Sequence, residues 1–197
     1  MIRFRSKITE WIDVSYLMRF IILLLILYYG NLVFIAIIDH KGLVYSQFFD
    51  KHFNYINWLR NSLLYTSNLL AHTTGLNTHV TLPFRLTSQE GSYIEIVYEC
   101  LGINFFCFWT AFVWANKPTN LNNFYWWLIG MLGLWFLNSV RITLLLMAIV
   151  NQWHYNRYMD HHTLFNLATY SLIALFIFFY INSRKHTNLK PAVQTMS

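Results

Sequence analysis

Four apolar runs divide the chain. Phe20 to Ile38 is interrupted only by Gly30 and Asn31, and Leu101 to Ala115 is shorter, rich in aromatics and closed by Lys117-Pro118. Phe124 to Val150 is long and holds Asn138 and Arg141, and Leu164 to Ile181 ends at Asn182-Ser183-Arg184-Lys185. A helix needs about 20 mostly apolar residues to cross a hydrocarbon core of roughly 30 Å. The runs therefore predict four transmembrane helices, the third longer than one crossing requires. The first is too long for a signal-peptide core, and no small-x-small cleavage site follows it.

Residues 39–100 have a different pattern. Trp58, Leu59, Leu63, Tyr65, Leu69 and Leu70 recur at near-helical spacing through Phe48 to His72, which predicts an amphipathic helix on or near the membrane face. After Gly75 the period changes. Val80 to Leu86 and Tyr93 to Tyr98 alternate around Gln89-Glu90-Gly91, the signature of a β-hairpin, with Pro83 confining the first strand to an edge. The expected fold is thus an all-α integral membrane protein of about four transmembrane helices (20–38, 101–115, 124–150 and 164–181). An outer-face amphipathic helix and a short β-hairpin complete it within a single membrane domain spanning residues 1–197. There is no internal repeat, low-complexity stretch or separate soluble domain.

Composition agrees with this reading. Of 197 residues, 56% are hydrophobic, 19% aromatic and only 11% charged, whereas a soluble domain carries roughly 25% charged residues. A chain this short cannot hide so much apolar surface in a soluble core. An ordinary soluble enzyme, a disordered chain and a disulfide scaffold are excluded. The net charge of +6 does not indicate nucleic acid, because the basic residues sit mainly at the ends of apolar runs rather than in one patch. They read as topology signals and as attraction to anionic lipid in the bilayer.

Those residues orient the chain. With the N-terminus in the cytoplasm, the inner segments hold Arg3, Arg5, Lys7, Arg19, Lys117, Arg184, Lys185 and Lys190 against Glu10 and Asp13. The outer segments hold Lys41, Lys51, Arg60, Arg85 and Arg157 against Asp39, Asp50, Glu90, Glu95, Glu99 and Asp160. The positive-inside rule places both termini in the cytoplasm and residues 39–100 and 151–163 outside.

Ionisable groups within or at the mouth of apolar spans are costly and mark candidate function. Cys100 stands where the hairpin runs into the second span, Arg141 lies inside the third run, and His161 and His162 open the fourth. Arg141 is about ten residues before the outer loop, hence about 15 Å below it at 1.5 Å per residue, a depth that a snorkelling guanidinium partly recovers. All three groups can reach one pocket near the outer leaflet. A thiol with a pKa of about 8.5 becomes a nucleophile as the thiolate, and a neighbouring His can take its proton and return it to a leaving amine. Arg stays protonated and can only stabilise negative charge. The set points to cysteine acyl transfer at the membrane surface. Cys107, mid-span and without an ionisable neighbour, reads as a small hydrophobe.

These motifs, in this order, resemble those of the exosortase/archaeosortase family of membrane cysteine transpeptidases. Cys100-Leu101-Gly102-Ile103 resembles the family's Cys-Ser/Thr-Gly motif, Asn138 to Arg141 its Asn-x-x-Arg, and His162 the His before its last span. The resemblance covers roughly Tyr93 to Ile181. Leu101 departs from it, standing where the family carries a small hydroxyl residue. Asn166 stands four residues after His162, where the family often has Gly, and Phe165 stands in that place after His161. His162 is therefore preferred as the matching residue, with His161 the alternative.

The resemblance implies an enzyme of the bacterial cytoplasmic membrane with its active site on the outer face. Its substrates would be secreted proteins with a C-terminal sorting tail (a short motif, a transmembrane helix and a basic cluster), cleaved and passed to water or a surface glycan. It also implies Cys100 as nucleophile, His162 as general acid/base, Arg141 as stabiliser of the thiolate or oxyanion and Asn138 in support, with neither cofactor nor metal. Two other classes are carried beside it: a non-catalytic membrane anchor or assembly subunit, in which Cys100 is dispensable, and a haem-binding redox protein. Bis-His haem ligation needs facing histidines at similar depth, and His154, His161 and His162 all lie on one short segment.

Overall fold

The computed structural model describes residues 14–40, 42, 44–81, 83–116, 120–152 and 161–188. They form two bodies that divide after Gln152. The first contains helices α1 (Val14–Ile38), α2 (Gln47–Phe53) and α3 (Tyr55–Thr73), and strands β1 (Thr78–Thr81), β2 (Arg85–Ser88) and β3 (Tyr93–Glu95). A 3₁₀ turn (Tyr98–Leu101) and helices α4 (Ile103–Ala115) and α5 (Asn120–Val150) complete it. The second is the single helix α6 (His161–Asn188), apolar through Thr169–Ser183. The chain is mostly helical with one small sheet. Two helices, α1 and the Asn123–Val150 part of α5, are long and apolar enough to cross a membrane.

Helices α1 and α4 run antiparallel, with Phe20 edge-on to Phe108 at 5.6 Å and Tyr16 edge-on to Phe112 at 6.3 Å between ring centroids. Helix α4 packs in turn on α5. Gly130 makes this seam possible: a Cβ there would lie 2.0 Å from Trp109 Nε1. The fully buried Trp109 indole packs against the glycine and donates to the Trp127 carbonyl at 3.3 Å.

The 31 residues of α5 make a helix of about 46 Å at 1.5 Å per residue, well beyond one hydrocarbon thickness. Its C-terminal half is covered by α3. Ser67 Oγ donates to the Ser139 carbonyl at 3.1 Å, Thr143 Oγ1 donates to the Ser67 carbonyl at 3.1 Å, and Trp135 Nε1 donates to Ser62 Oγ at 3.0 Å. Small residues let the two backbones approach closely, as at helix interfaces in membranes. Helix α3 buries Ile56, Leu63, Leu64, Ser67 and Ala71 against α5 and the sheet, while Trp58, Tyr65 and Leu69 of the stripe expected on or near the membrane face are exposed. The amphipathic stretch is two helices, because Asn54 ends α2 and caps α3, its side chain accepting from the Asn57 N–H at 2.9 Å. A Schellman-type end closes α3, with Leu76 N donating to the Ala71 carbonyl and Gly75 (φ +86°) N to that of His72.

The sheet is an antiparallel meander in the order β1-β2-β3, with Val80 opposite Leu86 and Leu86 opposite Ile94. The turn at Gln89 to Ser92 lies where the sequence predicts it. The expected first strand, Val80 to Leu86, is instead broken by a turn at Pro83-Phe84 and divides between β1 and β2. Proline there has no N–H for the ladder, and Phe84 takes a left-handed backbone with φ +62°. One apolar core joins these parts: Ile56, Leu63 and Leu64 from α3, Leu86, Ile94 and Ile96 from the sheet segment, Leu101 and Ile103 from the turn and α4, and Ile142 and Leu146 from α5.

Candidate functional site

Cys100 is carried on the 3₁₀ turn between the sheet and α4. Its N–H donates to the Val97 carbonyl at 3.0 Å, and its own carbonyl accepts from Asn138 Nδ2 at 2.9 Å. Gly102 (φ +70°) follows and reverses the chain into α4. A Cβ there would touch Asn138 at 3.5 Å, an ordinary contact, so the left-handed backbone is what favours glycine. Leu101 is fully buried in the core. The residue that departs from the hydroxyl position of the family pattern therefore anchors the turn that bears the cysteine.

The structure thus brings together two of the residues singled out in the sequence, Cys100 and Asn138. Arg141 follows one turn after Asn138 on α5 and is half-buried. Asn138 is level with Cys100, and Arg141 belongs to the length of α5 that α3 covers, between Ser139 and Thr143, which both bond to Ser67. His161 and His162 are the first two residues of α6; their side chains lie outside the described residues. Cys107 is half-buried, and both cysteines are free.

A second polar group lies beside this turn. Asn31, in the middle of α1 and only 7% exposed, donates through Nδ2 to the Tyr98 hydroxyl and accepts at Oδ1 from the Tyr55 hydroxyl. One buried amide therefore ties α1 and α3 to the turn that carries Cys100, which meets the requirement that buried polar groups be paired. Burial, followed by the nearby Tyr98 phenol, pushes the Tyr55 pKa up to about 12. Asn31 and Tyr55 also line, with Thr110, an otherwise apolar groove of about 690 Å³ bounded by Ile26, Phe34, Ile103, Phe106, Cys107 and Trp135. Cys100 is not among the residues that line it. The groove has the volume and apolar character of a binding site, with a few polar groups in its lining.

Arg60 was counted in the sequence only as an outer charge. It is half-buried on the core side of α3, and burial holds its pKa below the usual guanidinium value. Phe84, whose ring it covers, is a bulky residue at positive φ, a conformation that costs on the order of 1–3 kcal/mol and persists where its surroundings impose it. The signal for Arg60 was present in the sequence as a cation four residues from both Ile56 and Leu64, on a stripe otherwise apolar or small. Among the described residues, no group of three or more His, Cys, Asp or Glu side chains is gathered closely enough to hold a metal ion. No family model, curated protein or solved structure matches the chain.

Proposed function

We propose that the protein is a membrane cysteine peptidase or transpeptidase acting at the outer face of the cytoplasmic membrane. In this reading α1, α4, α5 and α6 cross the bilayer, both termini are cytoplasmic, and the substrates are secreted proteins held by a C-terminal helix. The observation that carries it is the hydrogen bond from Asn138 to the Cys100 carbonyl, which fixes the cysteine turn against the helix bearing Arg141. The groove supports the substrate class. It is mostly apolar, and Asn31 in its lining bonds to Tyr98, two residues before Cys100, so a helix seated there would lie beside the cysteine turn.

In the proposed reaction the Cys100 thiolate attacks the scissile carbonyl, and Arg141 stabilises the oxyanion. Collapse of that intermediate breaks the C–N bond and leaves a thioester on Cys100. His162, with His161 as the alternative, takes the thiol proton and gives it to the departing amine. Water or a surface glycan hydroxyl then adds to the thioester and releases the thiol. Asn138 positions the turn.

The test follows iodoacetamide alkylation of Cys100 in membranes from pH 5 to 10 in a Cys107→Ala background, repeated with Arg141→Ala, His161→Ala and His162→Ala. The expected result is rapid alkylation of Cys100 that slows on loss of Arg141 and of one His. A thiol indifferent to all three changes would overturn the mechanism. It would favour the second reading, a non-catalytic membrane anchor, which draws support from the packing of Cys100 against the apolar core and from the groove lying on the Cys107 side.

A further inference from the structure

Arg60 sits in the middle of the buried face of α3. Ile56, Leu63, Leu64, Ser67 and Ala71 on that face are all buried, and Arg60 lies one turn from both Ile56 and Leu64. Its guanidinium carbon is 4.2 Å from the centroid of the Phe84 ring. Nη1 makes one long contact, 3.5 Å to Asn57 Oδ1, and Nε is buried without a hydrogen-bond partner among the described residues. The carboxylate near enough to influence it, Glu95, is engaged elsewhere, its Oε2 accepting from Arg85 Nε at 3.0 Å and facing Arg85 Nη2 at 2.9 Å. Among the described residues, Arg60 is therefore a half-buried cation with no hydrogen-bonded carboxylate of its own.

Its stacking selects what can pair with it. The guanidinium lies over the Phe84 ring with its Nε lacking a partner, and a guanidinium held on an aromatic ring with unfilled donors suits a planar carboxylate. The platform is held in place by the Phe84 carbonyl, which accepts from Ile96 N–H at 3.0 Å. We propose that Arg60, with Asn57 beside it, is a carboxylate-binding site between α3 and the sheet, taking an acidic group of a peptide or small organic acid. The site does not depend on Cys100 being a nucleophile.

The alternative is that Arg60 serves only the fold, clamping Phe84 to α3. The two roles differ in a measurable way. An apolar side chain of similar length in place of a buried cation need not cost stability, whereas loss of a charge that clamps Phe84 through its ring should lower it and a lysine should restore it. The probes are acetate, acetamide and inorganic phosphate, added at constant ionic strength to the full-length protein in a neutral detergent. Phenylglyoxal modification of Arg60 is followed by peptide mass spectrometry. Acetate at twice its dissociation constant should slow the modification about threefold by mass action, acetamide should not, and Arg60→Met should keep the thermal midpoint of the parent. Equal rates with and without acetate, or equal protection by acetamide, would overturn the site. Protection by phosphate alone would overturn its ligand class. A collapse of the midpoint in Arg60→Met that Arg60→Lys restores would assign Arg60 to the fold and overturn the proposal.

Discussion

Single residues here carry roles that their neighbours in sequence do not announce. Asn31 interrupts an apolar run, and in the folded chain it is the amide that satisfies two phenols at once. The consequence for Tyr55 can be worked out with its sign. Its pKa is raised from 10.0 to about 12 in the folded protein, so between those values the folded state binds a proton that the unfolded chain has released. Stability from this group is fully present below pH 10 and is lost as pH rises through 10 to 12. Tyr55 is 37% exposed, and solvent screening reduces the effect to about 1 kcal/mol. Thermal unfolding in detergent should therefore decline more steeply with pH across that window in the parent than in Tyr55→Phe. Parallel curves would show that the phenol is not desolvated as described.

At the scale of elements, the chain is organised by seams between helices that the apolar runs alone do not specify. The closest is at Gly130, where the Trp109 indole occupies the space of a side chain. Gly130→Ala would drive a methyl into the edge of a fully buried ring, and overpacking of this kind costs about 1–3 kcal/mol. The expected result is a thermal midpoint lowered by about 2–4 °C for each kcal/mol, with Gly30→Ala, where a Cβ would meet nothing within 4 Å, as the neutral control. A Gly130→Ala protein as stable as the parent would mean that the α4–α5 seam is looser than the ring packing implies.

The same seams show which parts of the fold were legible in the sequence. The helices of the four apolar runs, the amphipathic period of 48–72 and the turn at Gln89 to Ser92 follow from local signals, and each lies where those signals put it. The split of the strand at Pro83-Phe84 also had a local cause, the missing N–H of proline, but an edge strand and a turn explain that residue equally well. What α3 packs against was not legible. An amphipathic stripe says only that one face is buried, and lipid and α5 satisfy it alike. For that reason Arg60, which lies on the buried face between Ile56 and Leu64, reads in the sequence only as an outer charge. Within the candidate site, the bond from Asn138 to the Cys100 carbonyl and the partnership of Asn31, Tyr55 and Tyr98 join positions far apart in sequence and left no local trace.

For the molecule as a whole, the proposed chemistry depends on which side of the membrane the cap of α3 and the sheet occupies. Charge decides the expected answer. Arg3, Arg5, Lys7 and Arg19 precede or enter the first apolar run, and Arg184, Lys185 and Lys190 follow the last. The cap carries Asp50, Glu90 and Glu95 among its few charges. Lys and Arg near span ends are retained in the cytoplasm, so the cap, and Cys100 with it, should face outward. In a Cys100→Ala, Cys107→Ala background, Glu90→Cys at the exposed β2–β3 turn should react with a membrane-impermeant maleimide on intact cells. Gln194→Cys near the C-terminus should react only after permeabilisation. The reverse pattern would place Cys100 in the cytoplasm, away from secreted substrates, and sorting at the outer face would no longer be tenable even if the thiol proved reactive. Labelling of both residues on intact cells would mean that the termini lie on opposite sides and that the chain crosses the membrane an odd number of times.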